Sequence, residues 1–385
     1  MSALETTKKF IRQNPHESLN TVAGIWEKFV GTGEINDNRL RPLIANRWLR
    51  CRELGINPLN TRAQSVISDK EVENKLNSEN LGISGKNVLD NMSSTVKDTG
   101  HVIVLADNSG RILYSVGHKQ VQRHLDKINF MPGSEWNEDS VGPNGIGTPL
   151  TLGQPELIMG SEHFCQGWQP WVCYGAPIHN PNSRSVLGCI DITGPANKVC
   201  VEAMALAISI TQSIESGLAL ALLKKNEELR LIYRNYEAKW PNDVSLMVDE
   251  YGIIIDANSY ASTFMSPSSN VLNQSIDTYF PTITSSIHQS INDGNEREVD
   301  VETNQQYANN IRILIKPFKT NNQTSGCFIM ILDKNHSNTT ITSLQSNEDE
   351  LIRKTLLKTR GNISKAARML NINRATIYRR RKNWQ

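Results

Sequence analysis

At 385 residues the chain is long enough for two or three domains of ordinary size. Its hydrophobic share of 38% and mean hydropathy of −0.41, with no run of about eighteen apolar residues and no apolar core in MSALETTKKF, argue against a membrane protein and a secreted one. Net charge is +2, yet eleven basic residues and one acid between Glu350 and Gln385 make that end +10 and leave −8 elsewhere, the pattern of a small polyanion-binding module on an acidic body.

The six cysteines, Cys51, Cys165, Cys173, Cys189, Cys200 and Cys327, show neither CxxC pairs nor a dense framework. Free thiols in a reducing cytoplasm are expected. Residues 1–60 read as short helices, with breaks at Gly31-Thr32-Gly33 and Pro42 and a helix over Asn46–Pro58 that ends around Gly55. From Ser65 to Asp98 the pattern is polar and helical. His101–Ala106 and Arg111–Val116 flank Asp107-Asn108-Ser109-Gly110, a hairpin by composition and turn chemistry. Trp171–Pro177 and Ser185–Thr193 form a second strand pair around Asn180-Pro181-Asn182-Ser183. Strands flanked by helices predict an α+β domain with an antiparallel sheet.

Between the pairs lie Gly142-Pro143-Asn144-Gly145-Ile146-Gly147-Thr148, Glu162-His163-Phe164 and, on the second pair, Ala176-Pro177-Ile178; Trp48, Arg50 and Cys51 stand upstream. As a set these resemble the GAF sensor domain of the acetoin-catabolism regulator family over residues 40–200. Pro143 replaces the usual Thr, which leaves the local turn open. The resemblance implies a cavity beside the sheet for a small organic effector. Trp136, Phe164, Trp168, Trp171, Cys173 and Tyr174 are the candidate lining residues, as aromatic surface with a few polar groups suits such a ligand; each is equally readable as plain core. Glu162, His163 and Cys165 lack a second ligand pair at metal spacing, so no metal is expected, and no cofactor. Asn144–Gly147 is not a dinucleotide fingerprint and Gly82–Asn87 has the wrong spacing for a phosphate loop. No enzyme is expected. Turnover in the GAF-like pocket is the weakest reading, and redox sensing by Cys165 or Cys173 stays open.

Val201–Tyr236 is one proline-free helical pattern with a stripe at Ile210, Ile214, Leu218, Leu222, Leu229, Ile232 and Tyr236. The stripe reads as a two-chain seam in preference to core. Beyond Pro241, Val244–Asp249 and Ile253–Asn258 form a hairpin, helices follow, and Ile311–Pro317 and Gly326–Leu332 supply later strands. This order resembles a PAS domain. His288 is readable as a haem ligand, and far more readily as an ordinary histidine. Asn335–Ser346 is a polar linker.

At the C-terminus, Glu348–Lys358, Ser364–Leu370 and Arg374–Trp384 read as three helices, with Asn373 as N-cap of the last. Ile363, Ala366, Ala367, Leu370, Ile372 and Ile377 are the predicted core. Two short helices, a tight turn and a basic last helix describe a helix-turn-helix. Gly361-Asn362, Ala366-Ala367, Leu370, Arg374 and Thr376 resemble the Fis-type motif. That resemblance places base contacts on Asn373 and Arg374 and phosphate contacts on Thr376 and Arg379. Tyr378 and Arg380 are further candidates for DNA, with Arg374 suited to a guanine edge.

The expected fold is α+β and multidomain: a helical region (1–60), a GAF-like sensor (61–200), a connecting and dimerisation helix (201–237), a PAS-like α+β domain (238–335), a linker (336–347) and an all-α helix-turn-helix (348–385). Resembled regulators usually carry an ATPase domain that remodels sigma-54 polymerase, and no Gly-x-x-x-x-Gly-Lys-[Ser/Thr] or Gly-Ala-Phe-Thr-Gly-Ala loop is present here. The expected function is a cytoplasmic, ligand-responsive, sequence-specific DNA-binding regulator of a catabolic operon that hydrolyses no ATP. Its expected partners are double-stranded DNA, a small organic effector and a second copy of the chain. RNA polymerase is a further candidate, and no membrane is expected. The alternative is a nonspecific Fis-like DNA binder, or an interaction module that modulates a full-length sigma-54 activator.

Overall fold

The computed structural model describes residues 5, 15–65, 67–240, 243–265, 270–281, 283–301, 311–320, 323–332, 351–352, 355–356, 359, 362–370 and 372–381, with backbone alone for 15, 16, 320, 323–325, 375 and 379–381. They divide into two compact units, Met1–Lys224 and Lys225–Gln385.

The first unit begins with α1 (Pro15–Thr32) and α2 (Pro42–Glu53). Pro42, expected as a break, instead opens α2, because the first helical position needs no N–H and favours proline's fixed φ. The polar stretch after Ser65 splits into α3 (Asp69–Ser78) and α4 (Asn80–Val96). Ser68 caps α3 by accepting the Glu71 N–H, and Glu79 is extended at φ −90°, ψ 136° between the two helices. Next come β1 (Val102–Asp107), β2 (Ile112–Gly117), α5 (Lys119–Asp126), α6 (Glu138–Val141), α7 (Gly147–Leu152), β3 (Glu156–Met159), β4 (Trp171–His179) and β5 (Val186–Pro195). The strands make one antiparallel sheet in the order β2-β1-β5-β4-β3.

Side-chain alternation gives this sheet two cores. Ile103, Leu105, Tyr174, Ala176, Ile190 and Ile192 face one, with Leu76 and Leu89 from α3 and α4. Val102, Val104, Ala106 and Cys189 face the other, under Trp26, Phe29, Trp48, Trp136, Phe164 and Trp168.

α8 (Val201–Glu237) runs from the first unit into the second. Most of its stripe is used within the chain: Ile210, Ile214 and Leu218 join the first sheet's helix-side core, and Leu229, Ile232 and Tyr236 pack on the second sheet. Leu222, half-buried, belongs to neither core. The large apolar residues that α8 leaves exposed are Leu220, Leu223 and Leu231. An 18-residue window of α8 averages a hydropathy of 1.5, so by length and composition alone this helix meets the requirement for a bilayer span. Thr211, Gln212, Ser213, Glu215 and Ser216 interrupt the stretch, so the sequence holds no unbroken apolar run there.

In the second unit, β6 (Ser245–Asp249), β7 (Ile254–Ala257), α9 (Ser259–Met265), α10 (Ile283–Asp293), β8 (Arg297–Val301), β9 (Ile311–Thr320) and β10 (Gln323–Leu332) build a sheet of order β7-β6-β10-β9-β8. Every pairing is antiparallel, so the two sheets share one strand order. They also share a turn. Asp107 Oδ1 accepts from the N–H groups of Ser109 and Arg111 at 2.9 and 3.1 Å, and Asp249 Oδ1 from those of Tyr251 and Ile253 at 2.9 and 2.8 Å. Each carboxylate holds its hairpin closed as an Asx turn does.

Near the C-terminus lie α11 (Ile363–Met369) and α12 (Arg374–Arg381). The expected linker, 336–347, lies outside the described residues. Of the expected helix over 348–358, Leu351, Ile352, Thr355 and Leu356 are described, and all four are helical.

Candidate functional site

The motif residues of the first unit mostly hold the chain together. Asn144 spends its whole amide on backbone: Nδ2 donates to the carbonyls of Trp136 and Gly142, and Oδ1 accepts from Ile146 and Gly147 N–H at 2.8 and 2.9 Å. Thr148 Oγ1 donates to Glu138 Oε1 at 2.8 Å, and Arg47 reaches Glu138 Oε2 at 3.2 Å. Burial nonetheless raises the Glu138 carboxyl above its ordinary range. A Cβ at Gly142, where φ is +74°, would meet Phe164 Cβ at 3.0 Å and Cys51 Sγ at 3.1 Å. One at Gly145 would lie 2.1 Å from Asp191 Oδ1. Pro143 fits because the ψ of −171° at Gly142 keeps the preceding residue out of the α region that proline disfavours.

Glu162 carries a buried ion network. Arg41, at the start of α2, bonds Glu162 through Nε at 2.7 Å and Nη2 at 2.8 Å, and Glu156 through Nη1 at 2.7 Å. The Trp48 indole donates to the Glu162 carbonyl at 2.9 Å. The Glu162 carboxylate is thus committed to Arg41, and among the described residues no group of three metal-ligating side chains occurs.

A cavity lies on the aromatic face of the sheet. Leu125, Ile128, Phe130, Trp136, Asn144, His163, Trp168, Trp171, Cys173 and Thr193 line it. Phe130, Trp136 and Trp168 form an edge-to-face row, each neighbouring pair of centroids 4.7 Å apart. The indoles are pinned: Trp136 Nε1 donates to Asn129 O and Ser134 Oγ, and Trp168 Nε1 to Val141 O. The space open to water centres is about 10 Å3, room for about one water molecule.

Of the six expected lining residues, the structure brings Trp136, Trp168, Trp171 and Cys173 to the cavity. Phe164 lies in the same core outside the lining; its carbonyl accepts from Trp26 Nε1 and its ring meets Phe29 edge-on. Tyr174 is a correction. It follows Cys173 on β4, so it points to the opposite face of the sheet, where its hydroxyl accepts from the Cys200 N–H. His163, Asn144 and Thr193 were not among the expected lining residues. Strand pairing of Cys173 with Thr193 puts both on one face, and the period of two was the signal that could have found Thr193.

Burial bears on the charge-bearing groups here. It pushes the Asp191 carboxyl up to about 7, although Thr193 Oγ1 donates to Oδ2. It holds His163 down to about 4. It pushes Cys165 up to about 12 and Cys173 well above the usual thiol range, which makes both poor redox sensors. His288 lies exposed on α10.

The second candidate surface is on α11 and α12. Asn362 caps α11 by accepting the Lys365 N–H at 3.0 Å. Ala366, Ala367, Ile377 and Ile352 are buried together, with Leu356, Ile363, Leu370 and Ile372 against them, so every predicted core residue is in this cluster. Asn373, Arg374 and Tyr378 are exposed and Thr376 is half-buried. Arg374 Nη1 donates to Ser364 Oγ at 3.3 Å. The side chains of Arg379 and Arg380 lie outside the described residues.

The model of the family "MimR, N-terminal domain" matches residues 21–216, over half the chain. The chain belongs to the MimR N-terminal-domain family. The model "Bacterial regulatory protein, Fis family" matches residues 343–384. Over 210 residues the chain is 32% identical to the acetoin dehydrogenase operon transcriptional activator AcoR of Bacillus subtilis, covering 54% of this chain and 34% of that protein. Over 219 residues it is 29% identical to the propane 2-monooxygenase operon transcriptional activator MimR of Mycolicibacterium smegmatis, covering 57% and 36%. The match thus spans about a third of each relative's length. The E. coli DhaR(N)–DhaL complex structure aligns with 75% of this chain and 99% of its own at 19% identity, with a TM-score of 0.48. The two named relatives are transcriptional activators, and the N-terminal and Fis-type matches lie on separate parts of this chain.

Proposed function

We propose that the chain is a sequence-specific DNA-binding regulator of a catabolic operon, gated by a small organic effector in the first unit's cavity and working without ATP hydrolysis. The observation that carries this reading is the use of side chains on α12. Ile377 is spent on the three-helix core, while Arg374 and Tyr378 stay exposed on the same short helix. An exposed arginine at the start of such a helix suits bidentate contact with a guanine in the major groove. Residues 61–200 serve as the effector domain, 201–237 as connector, 238–335 as a PAS-like domain and 348–385 as the DNA-binding module. A cytoplasmic homodimer matches two half-sites, and RNA polymerase is the partner through which an activator would act. Residues 333–362 separate β10 from α11, too short a stretch for an ATPase domain between them.

The test is binding to upstream operon DNA and to a scrambled duplex over a series of salt concentrations. A preference for the operon sequence that persists as salt rises supports the reading. Equal binding to both, weakening in parallel with salt, is the behaviour of a nonspecific binder and refutes it.

A further inference from the structure

His163 lines the cavity with no exposed surface, and its Nε2 has no hydrogen-bond partner among the described residues. Its other nitrogen, Nδ1, lies 3.0 Å from the Gly160 carbonyl oxygen. A carbonyl oxygen only accepts, so Nδ1 carries the hydrogen. Burial holds the ring's pKa down to about 4, so the imidazole is neutral near pH 7. A neutral ring with its hydrogen on Nδ1 leaves Nε2 as a bare acceptor. Whatever satisfies it must donate.

Apart from the indole N–H of the half-buried Trp171, the other polar side-chain atoms of the lining are already engaged. The Asn144 amide is spent on four backbone groups. The Thr193 hydroxyl gives its one hydrogen to Asp191, so the Cys173 thiol donates to Thr193 Oγ1 across their 3.3 Å contact. Among the described lining residues none is Lys, Arg, Asp or Glu, so a charged ligand would be desolvated without a counter-charge. Ile128 and Trp171 are the half-buried members of the lining. With space for about one water molecule, a ligand of several heavy atoms enters only if these two swing outward.

We propose that the cavity takes a small uncharged molecule that donates an O–H or N–H to His163 Nε2, an alcohol in preference to the ketone of the same shape. This rests on the reading of the cavity as the effector site and specifies the chemistry it selects. An unmade hydrogen bond at a buried acceptor costs enough to predict at least about tenfold weaker binding for the ketone.

The full chain is titrated calorimetrically with 2-butanol and with butanone, which share a carbon skeleton. His163→Asn, which keeps a donor toward Gly160 and has no atom at the Nε2 position, is titrated in parallel once its melting temperature is shown to match. The native chain should bind the alcohol at least about tenfold more tightly, and the variant should bind the two alike. Nitrogen-15 spectra of the histidine-labelled native chain should show His163 Nε2 unprotonated and perturbed by the alcohol. Equal affinity of the native chain for both molecules overturns the donor rule and leaves the effector site standing. Binding of neither overturns both. A protonated Nε2 overturns the donor rule even where the variant fails to fold.

Discussion

A carboxyl with no exposed surface costs the fold least when it keeps its proton, and Asp191 is such a group. Pushed up to about 7, it holds in the folded chain a proton that the unfolded chain loses near pH 4. The stability it gives therefore falls as pH rises from about 4 to about 7. His163, held down to about 4, works in the other direction. The unfolded chain keeps that proton up to about pH 6.5, so stability rises with pH over that window. In the native chain the two slopes largely cancel. Asp191→Asn removes the first and leaves the second. Relative to native, the variant should gain up to about 1.4 kcal/mol per pH unit between pH 4 and 7 and hold level above. Urea unfolding across that range measures this. A constant offset at every pH would mean that Asp191 titrates like an ordinary exposed carboxyl. None of this was legible in the sequence: IDIT reads as strand, and only the pairing of Asp191 with Gly175 and of Thr193 with Cys173 shows that Asp191 shares a face with the cavity.

Single elements depend on partners far along the chain. Arg41 sits just before α2, and its carboxylates Glu156 and Glu162 lie more than a hundred residues later. Replacing one member of a buried ion network leaves its partners uncompensated. Arg41→Met should cost about 3 kcal/mol, and Glu156→Gln with Glu162→Gln in the same chain should recover part of it. A double-mutant cycle of unfolding free energies reads the coupling; additive losses would show that the network contributes nothing beyond its separate residues. Sequence periodicity located β1, β2, β4 and β5 because each is framed by turn residues or runs long. It missed β3, four residues without alternation, and split the cavity's aromatic residues imperfectly because Tyr174 and Cys173 are neighbours on opposite faces. The C-terminal core was legible apart from Ile352 and Leu356, since its other members are local and at helical spacing.

Across the whole molecule, two sheets of one strand order and one hairpin device are joined by a single helix. Of the residues of α8 read as a seam, all but Leu222 are used within each unit, and Leu220, Leu223 and Leu231 are the large apolar side chains exposed beside it. Leu220→Glu with Leu223→Glu should weaken the proposed dimer at least tenfold, on the order of 1.4 kcal/mol, with little loss of melting temperature. Sedimentation equilibrium reads this. A dimer unchanged by both substitutions would place the interface elsewhere.

Sequence-specific regulation is tested most directly by genome-wide selection of DNA with the native chain and with Arg374→Ala at one salt concentration. The account predicts a short inverted repeat with half-sites about one helical turn apart, and a loss of about 1–3 kcal/mol of discrimination in the variant. Weak recovery of DNA without a common sequence, unchanged by the substitution, would contradict it.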